Sequence, residues 1–239
     1  MDLLRHIGEL NRLKGPLHLA IGVFDGLHLG HQAVIRAAQQ SAIESGGTAV
    51  VVTFDPHPIE VLSPGNAPRM LTASAHKLIL LQRQLGVSEV LVVSFDRDFA
   101  EQTGEQFVES LIAAAPTGGL ARICVGQAWQ FGKGRSGDVG LLKTLGGRLG
   151  FEVSGIETVE VCGMRVSSTR IREAIAAGDF QVAAALLGRV YTVYGTVIKG
   201  RQLGRTLGFP TANLTVHSEQ LPPTGVYAVR VTGAGDSWN

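Results

Sequence analysis

Gly22-Val23-Phe24-Asp25-Gly26-Leu27-His28-Leu29-Gly30-His31 is the stretch that decides the fold. It grows out of residues 17–24 (Leu-His-Leu-Ala-Ile-Gly-Val-Phe), an apolar run of strand length. Residues 30–45 follow with apolar and polar positions at helical spacing, until Gly46-Gly47 stops the helix. A strand that turns sharply into a helix aims unpaired backbone N–H groups at one spot. The helix dipole adds partial positive charge there, so the turn is an anion site. Gly26 and Gly30 let the backbone approach a phosphate closely. His28 and His31, three residues apart, share one face of a helix that begins near His28, which brings two ring N–H donors to the same phosphate.

The same beat recurs along the chain. A second apolar run, Ala49 to Phe54, is β-branched and ends at Pro56 and Pro58. The spacing then predicts a helix over 74–85, a strand over Val90 to Val93, a helix over 104–115, a strand over Arg122 to Gly126 and a helix over 138–149. Strands alternating with helices of this length imply βαβ units, an α/β class and a parallel sheet covered on both faces. Ligands of such sheets bind beyond the carboxyl ends of the strands, which points to the turns after Phe24, Phe54 and Gly126. Two more helices are expected at 168–177 and 179–187. From Arg189 the texture changes: Val190 to Lys199 alternates and is rich in Val, Tyr and Thr, and a β-rich run spans Gly225 to Thr232. We place a domain boundary at about 187, dividing the chain into 1–187 and an all-β module, 188–239.

Composition excludes several function classes. The 239 residues are 45% hydrophobic and 17% charged with a formal net charge of +1, which gives no reason to expect nucleic acid or a membrane surface as partner. The N-terminal Met1 to Leu10 is interrupted by Asp2, Arg5, His6 and Glu9 and is no signal peptide, and no apolar run approaches the roughly 18 residues of a membrane span. Cys124 and Cys162 sit at no metal-like spacing and are expected to be packing thiols in a reducing, cytoplasmic setting.

Three more motifs narrow the reading. Thr53-Phe54-Asp55-Pro56-His57-Pro58 follows the second strand, Val125-Gly126 through Phe131-Gly132 follows a later one, and Val166-Ser167-Ser168-Thr169-Arg170-Ile171-Arg172 opens a helix. Ser168, Thr169 and Arg170 at a helix start supply hydroxyl and guanidinium donors for a triphosphate. With the His-x-Gly-His turn, these motifs resemble the FMN adenylyltransferase module of bacterial bifunctional riboflavin kinase/FAD synthetases, a Rossmann-like nucleotidyltransferase fold. The resemblance implies transfer of AMP from ATP to FMN, giving FAD and pyrophosphate, with Mg²⁺ accompanying ATP. It implies His28 and His31 as catalytic, with Gly22, Phe24, Asp25, Gly30, Ser168, Thr169 and Arg170 around ATP. It places Phe54, Asp55, Pro56, His57, Pro58 and Phe131 near the flavin. An attacking phosphate oxygen is already ionised, so the chemistry needs positioning and charge stabilisation more than a strong base. One departure stands out: Ala128 occupies the position where the family usually has a carboxylate or amide.

Gly200-Arg201-Gln202-Leu203-Gly204-Arg205 and Gly208-Phe209-Pro210-Thr211-Ala212-Asn213 resemble the start of the riboflavin kinase barrel of the same proteins. A glycine-rich loop with arginines suits phosphates, so Gly200, Gly204 and Arg205 are candidate nucleotide contacts. Thr211 and Asn213 offer neutral oxygens of the kind Mg²⁺ accepts. The family's kinase base lies in a later segment, and neither Glu219 nor Asp236 matches it by position, so inefficient phosphorylation of riboflavin is expected of this chain. Two rival readings remain at this point: a nucleotidyltransferase for another acceptor (pantetheine phosphate, nicotinate mononucleotide or glycerol phosphate), and a non-catalytic flavin or nucleotide binder.

Overall fold

The computed structural model describes residues 1–201, 208–209, 211–217, 219–233 and 237–238. In chain order it contains β1 (Asp2–Leu4), β2 (Leu17–Ile21), α1 (Leu29–Ser45), β3 (Thr48–Asp55), α2 (Pro58–Leu62), α3 (Ser74–Leu85), β4 (Glu89–Ser94), α4 (Arg97–Ala100) and α5 (Gly104–Ala113). These are followed by β5 (Leu120–Gly126), α6 (Val139–Leu149), β6 (Glu152–Ile156), the short pair β7 (Glu160–Val161) and β8 (Met164–Arg165), α7 (Ser168–Ala177) and α8 (Phe180–Leu187). Beyond the last helix come β9 (Gly195–Ile198), β10 (Asn213–Val216), β11 (Val231–Thr232) and β12 (Ser237–Trp238).

The first six strands form one sheet in the order β1-β4-β3-β2-β5-β6. Every pairing in it is parallel. The α/β expectation therefore stands. Strand periodicity explains how the sheet is covered. Leu19 and Ile21 of β2, Val50, Val52 and Phe54 of β3, Leu91 and Val93 of β4 and Ile123 and Val125 of β5 belong to one core cluster, with α5 and α6 against them. The alternate residues Ala20, Val51, Val90, Val92 and Cys124 enter a second cluster, with α1 and α3. Side chains that alternate between two buried faces are what a doubly covered parallel sheet requires. From β2 the chain winds to β3 and β4 on one side, then crosses to β5 and β6 on the other. The carboxyl end of β2 is thus the switch point where such sheets bind ligands.

The helix expectations agree with the structure to within a few residues, and α1 ends where Gly46 turns left-handed at φ 68°. Several features escaped the sequence, among them β1, α2 and α4. Thr48–Asp55 and Leu120–Gly126 are longer strands than their apolar runs suggested. β6 (Glu-Val-Ser-Gly-Ile) lacks an apolar signature because it is an edge strand with only partial burial. The β7–β8 hairpin turns on Cys162 and Gly163, both with positive φ. Cys162 is consequently exposed, which corrects its reading as a packing thiol; Cys124 is buried as expected.

α7 and α8 pack into a third cluster with Leu71 and Leu29. Gln32 of α1 ties the end of α8 to the turn before α1 by donating from Nε2 to the Leu27 carbonyl at 3.0 Å and to the Leu187 carbonyl at 2.9 Å. Past Gly188 the described residues form two-stranded pieces, β9 with β10 and β11 with β12, both antiparallel. The β-rich run expected from Gly225 is regular strand at Val231–Thr232 and, among its other residues, irregular.

Candidate active site

The turn after β2 is held in an unusual backbone shape. Phe24 and Leu27, both non-glycine, have φ of 54° and 46°, and Gly26 has φ 82°. Such strain persists only where the surroundings over-determine it, and here Phe24 and Leu27 are fully buried. Gly26 is required for a second reason: a Cβ there would sit 2.7 Å from Leu71 Cδ1. At Gly30 the added carbon would meet the His28 ring at 3.2 Å. This glycine makes room for the turn's own imidazole. Gly22 closes β2 through its N–H to the Val52 carbonyl at 3.1 Å.

His28 is the N-cap of α1, and its Nδ1 accepts from the His31 N–H at 3.3 Å. The two imidazoles stack with centroids 3.5 Å apart and 18° between planes. Burial pushes the His28 pKa down to about 4. His31 is held well below the ordinary imidazole value by burial, then by His28 and Lys77. Both rings are neutral near pH 7, so each carries one N–H donor rather than two. His31 faces a cleft of about 430 Å³ whose wall also includes Val23, Asp25, His57, Ser168 and Thr169. His28 lies behind His31 and is 7% exposed. Of the two rings expected to meet one phosphate, His31 lines the cleft and His28 stacks against it.

Two helix N-termini converge here. Ser167 caps α7 by accepting from the Arg170 N–H, and Ser168 Oγ donates to the Asp25 carbonyl at 2.9 Å, which docks the start of α7 beside the start of α1. Arg170 is exposed and does not line the cleft; the guanidinium that does is Arg172. One helical turn after Ser168, Arg172 shares its face. It donates to the Arg69 carbonyl and to Asp25 Oδ2.

Asp25 is 2% exposed, and its carboxylate accepts from the N–H groups of Leu71 and Thr72 at 2.9 and 3.0 Å as well as from Arg172. It is a brace for the walls of the cleft, with little capacity left for ATP itself. Lys77 was not foreseen. Only 3% exposed, it donates from Nζ to the Val23 carbonyl at 2.8 Å and to Thr53 Oγ1 at 3.2 Å, so its partners are neutral. Burial lowers its pKa, and Asp25, Asp55 and Glu60 oppose that fall. The sequence did carry a signal: Lys77 shares a helix face with the buried Leu80 and Leu81.

The proposed flavin residues divide. His57 caps α2 by accepting from the Ile59 N–H and lines the same cleft as His31, its pKa lowered by burial. Pro58 is the first residue of α2, Pro56 is exposed, and Asp55 accepts from Ser74 Oγ. Phe54 is 7% exposed and packs with Phe95, Phe99 and Phe107, so its ring belongs to the core. Phe131 is 8% exposed and presents no open face: Trp129, half-buried, stacks on it at 4.5 Å. Trp129 is the outer aromatic surface of this pair, beside the exposed Ala128. In the C-terminal module Gly200 and Asn213 are neighbours, with a Cβ on Gly200 lying 2.1 Å from the Asn213 amide. Thr211 is exposed, and Gly204 and Arg205 lie outside the described residues.

The FAD synthetase family profile matches residues 11–170, and the riboflavin kinase profile matches residues 187–239. The bifunctional riboflavin kinase/FMN adenylyltransferase of Haemophilus influenzae is 39% identical over 97% of this chain and 74% of its own length. The protein of the same description from Escherichia coli strain K12 is 38% identical over 99% and 75%. A crystal structure from Streptococcus pneumoniae, described as a macrolide-efflux protein, aligns with a TM-score of 0.82 at 30% identity over 99% of this chain and 76% of that one. Among the described residues of this chain no helix is long and apolar enough to cross a membrane.

Proposed function

The chain belongs to the bifunctional riboflavin kinase/FMN adenylyltransferase family, and from this we propose how its own residues form FAD. In the adenylyltransferase reaction an FMN phosphate oxygen bonds to the α-phosphorus of ATP, and the bond to the β-phosphate breaks to release pyrophosphate. The single observation that carries the site assignment is convergence. Three motifs far apart in sequence, 22–31, 53–58 and 166–172, meet around one cleft at the switch point of the sheet.

ATP binds with its phosphates at the N-termini of α1 and α7, where free N–H groups, Ser168, Thr169 and Arg172 present donors. The His31 N–H, supported by the stacked His28, stabilises charge building on the α-phosphate in the transition state. A neutral imidazole suits this role, because an ionised phosphate nucleophile needs no proton removed. Lys77, beneath the Val23 carbonyl, contributes a fixed positive charge to the same floor. FMN is assigned to the side of His57, with its phosphate toward His31.

Among the described residues no cluster of three or more His, Cys, Asp or Glu side chains could hold a metal ion. Mg²⁺ would accompany the ATP phosphates and supply Lewis-acid charge at the transferring phosphate. In the C-terminal module, Asn213 beside Gly200 and the nearby Thr211 are the residues we assign to nucleotide and Mg²⁺ in riboflavin phosphorylation. ATP, FMN and riboflavin as substrates, and free thiols at Cys124 and Cys162, fit a cytoplasmic enzyme.

The test is to incubate the purified chain with ATP, FMN and Mg²⁺ and to follow FAD and pyrophosphate by chromatography. Equal amounts of the two products support the assignment. A folded, ATP-binding chain that forms no FAD would overturn it in favour of a non-catalytic binder, with Ala128 the first residue to restore to a carboxylate.

A further inference from the structure

The segment Met70 to Ala73, which leads into α3, is gripped from two directions. Asp25 of the active-site turn accepts from the N–H groups of Leu71 and Thr72. The next N–H, that of Ala73, donates to Glu219 Oε1 at 3.0 Å. α3 needs such help because its N-cap is Ala73, which has no side-chain oxygen with which to cap it.

Glu219 is fully buried in a region whose other described residues are mostly exposed. Its Oε1 also accepts from His76 Nδ1 at 2.5 Å, and its Oε2 accepts from the Tyr194 N–H at 2.6 Å. Around it, the Gln220 N–H donates to the Met70 carbonyl at 2.6 Å, and the Tyr191 hydroxyl donates to the Gln220 carbonyl at 2.6 Å. Arg189, just past α8, donates to the carbonyl of Gly26 in the active-site turn at 3.0 Å. A carboxylate taken wholly out of water is costly unless every oxygen finds donors, and this one finds them on both modules.

Leu71, Thr72 and Ala73 are consecutive, so the carboxylates of Asp25 and Glu219 hold one rigid shelf between them. Asp25 in turn fixes Arg172 in the wall of the cleft. We propose that Glu219 is a positioning residue for FAD formation: it locks the C-terminal module onto the Met70–Ala73 shelf and thereby sets Asp25 and Arg172 in the ATP cleft. The geometry gives a continuous chain of contacts from the kinase-like module to the adenylylation site. Substituting Glu219 frees the Ala73 end of the shelf, and the ATP-binding wall loosens although no atom of Glu219 faces the cleft. The inference rests on the ATP assignment above.

The experiment compares FAD formation by the full chain with that of Glu219→Ala and Glu219→Gln, varying ATP and FMN separately. The KM for ATP is expected to rise about five- to tenfold in Glu219→Ala, and less in Glu219→Gln, with kcat within roughly twofold of the parent. A purely structural contact would lower kcat through the folded fraction and leave KM alone. That outcome, or kinetics equal to the parent, overturns the proposal. Should Glu219→Ala fail to fold, Tyr191→Phe removes only the bond to the Gln220 carbonyl. A rise of about twofold in KM for ATP then supports the proposal and an unchanged KM overturns it. A parent chain that makes no FAD sinks the functional reading instead, and the proposal is then decided by ATP dissociation constants in the same variants.

Discussion

Val50 and Val52 in β3 are at 0% exposure, whereas Val197, Val226, Val229 and Val231 beyond Gly188 are at 64%, 103%, 68% and 49%. The residue type is the same and the strand propensity is the same. Val50 and Val52 are covered because helices lie on both faces of the six-stranded sheet, whereas Val197 and Val231 lie in the two-stranded ribbons β9–β10 and β11–β12, and Val226 and Val229 lie in irregular chain. Two strands alone do not make a stable sheet in water. The difference teaches that a motif becomes a site only where layered packing carries distant segments to one place. Residues 22–31, 53–58 and 166–172 converge because the sheet and α7 hold them there. In the C-terminal module Gly200 and Asn213 meet beside the β9–β10 pair, and the one described residue of that region at zero exposure, Glu219, is buried against the other module.

The sharpest way to break this comparison is at the arginines of α7. Arg172→Ala removes the guanidinium that the scaffold brings to the cleft, and should lower kcat/KM for ATP by roughly 10²-fold in FAD formation. Arg170→Ala should change it by no more than about threefold. Reversal of that order would mean that the motif, not its placement, selects the residue.

The next effect is at Lys77. Lys77→Met keeps the volume of the side chain and removes a buried charge bonded to neutral partners. Activity should fall about tenfold or more, while the denaturation midpoint holds or rises, because replacing a buried ion by an apolar group is often neutral or stabilising. A loss of stability in parallel with activity would make Lys77 a structural residue.

The third concerns protons. His28 has a pKa of about 4 in the fold against an ordinary value of 6.5, so the unfolded chain binds more protons between those limits. Its contribution to stability is whole above pH 6.5 and is lost as the pH falls toward 4, by up to about 3 kcal/mol, and His28→Gln should flatten that part of a melting profile. ATP, bringing negative charge to the pair, should raise both imidazole pKa values. Binding near pH 6 should then take up protons, measurable by calorimetry in buffers of different ionisation enthalpy.

The smallest effect sharpens the comparison directly. Val229→Thr in the C-terminal module should change the unfolding free energy by less than about 0.5 kcal/mol, whereas Val52→Thr in β3 should cost about 1–3 kcal/mol.

Most of the sheet and the helices was legible because amphipathic spacing and glycine stops are local signals. β6 was not, since an edge strand with partial burial carries no apolar run. The candidate site was half legible. His31, His57, Ser168 and Thr169, drawn from three motifs, line one cleft, whereas Phe54 and Phe131 turn inward because aromatic rings beside a core fill it first. Asp25 was drawn into bracing by two backbone N–H groups from a segment 46 and 47 residues away, which no spacing rule reports. Arg172 could have been found by counting one helical turn from Ser168.

The measurement that bears most directly on the account is FAD turnover together with FMN affinity in His31→Ala, by chromatography and by flavin fluorescence on the same preparation. The account predicts that turnover falls about 10²- to 10³-fold while the FMN dissociation constant stays within about threefold, because the imidazole acts on the α-phosphate in the transition state. Equal loss of both would place His31 in flavin binding and contradict the role assigned to the stacked histidines.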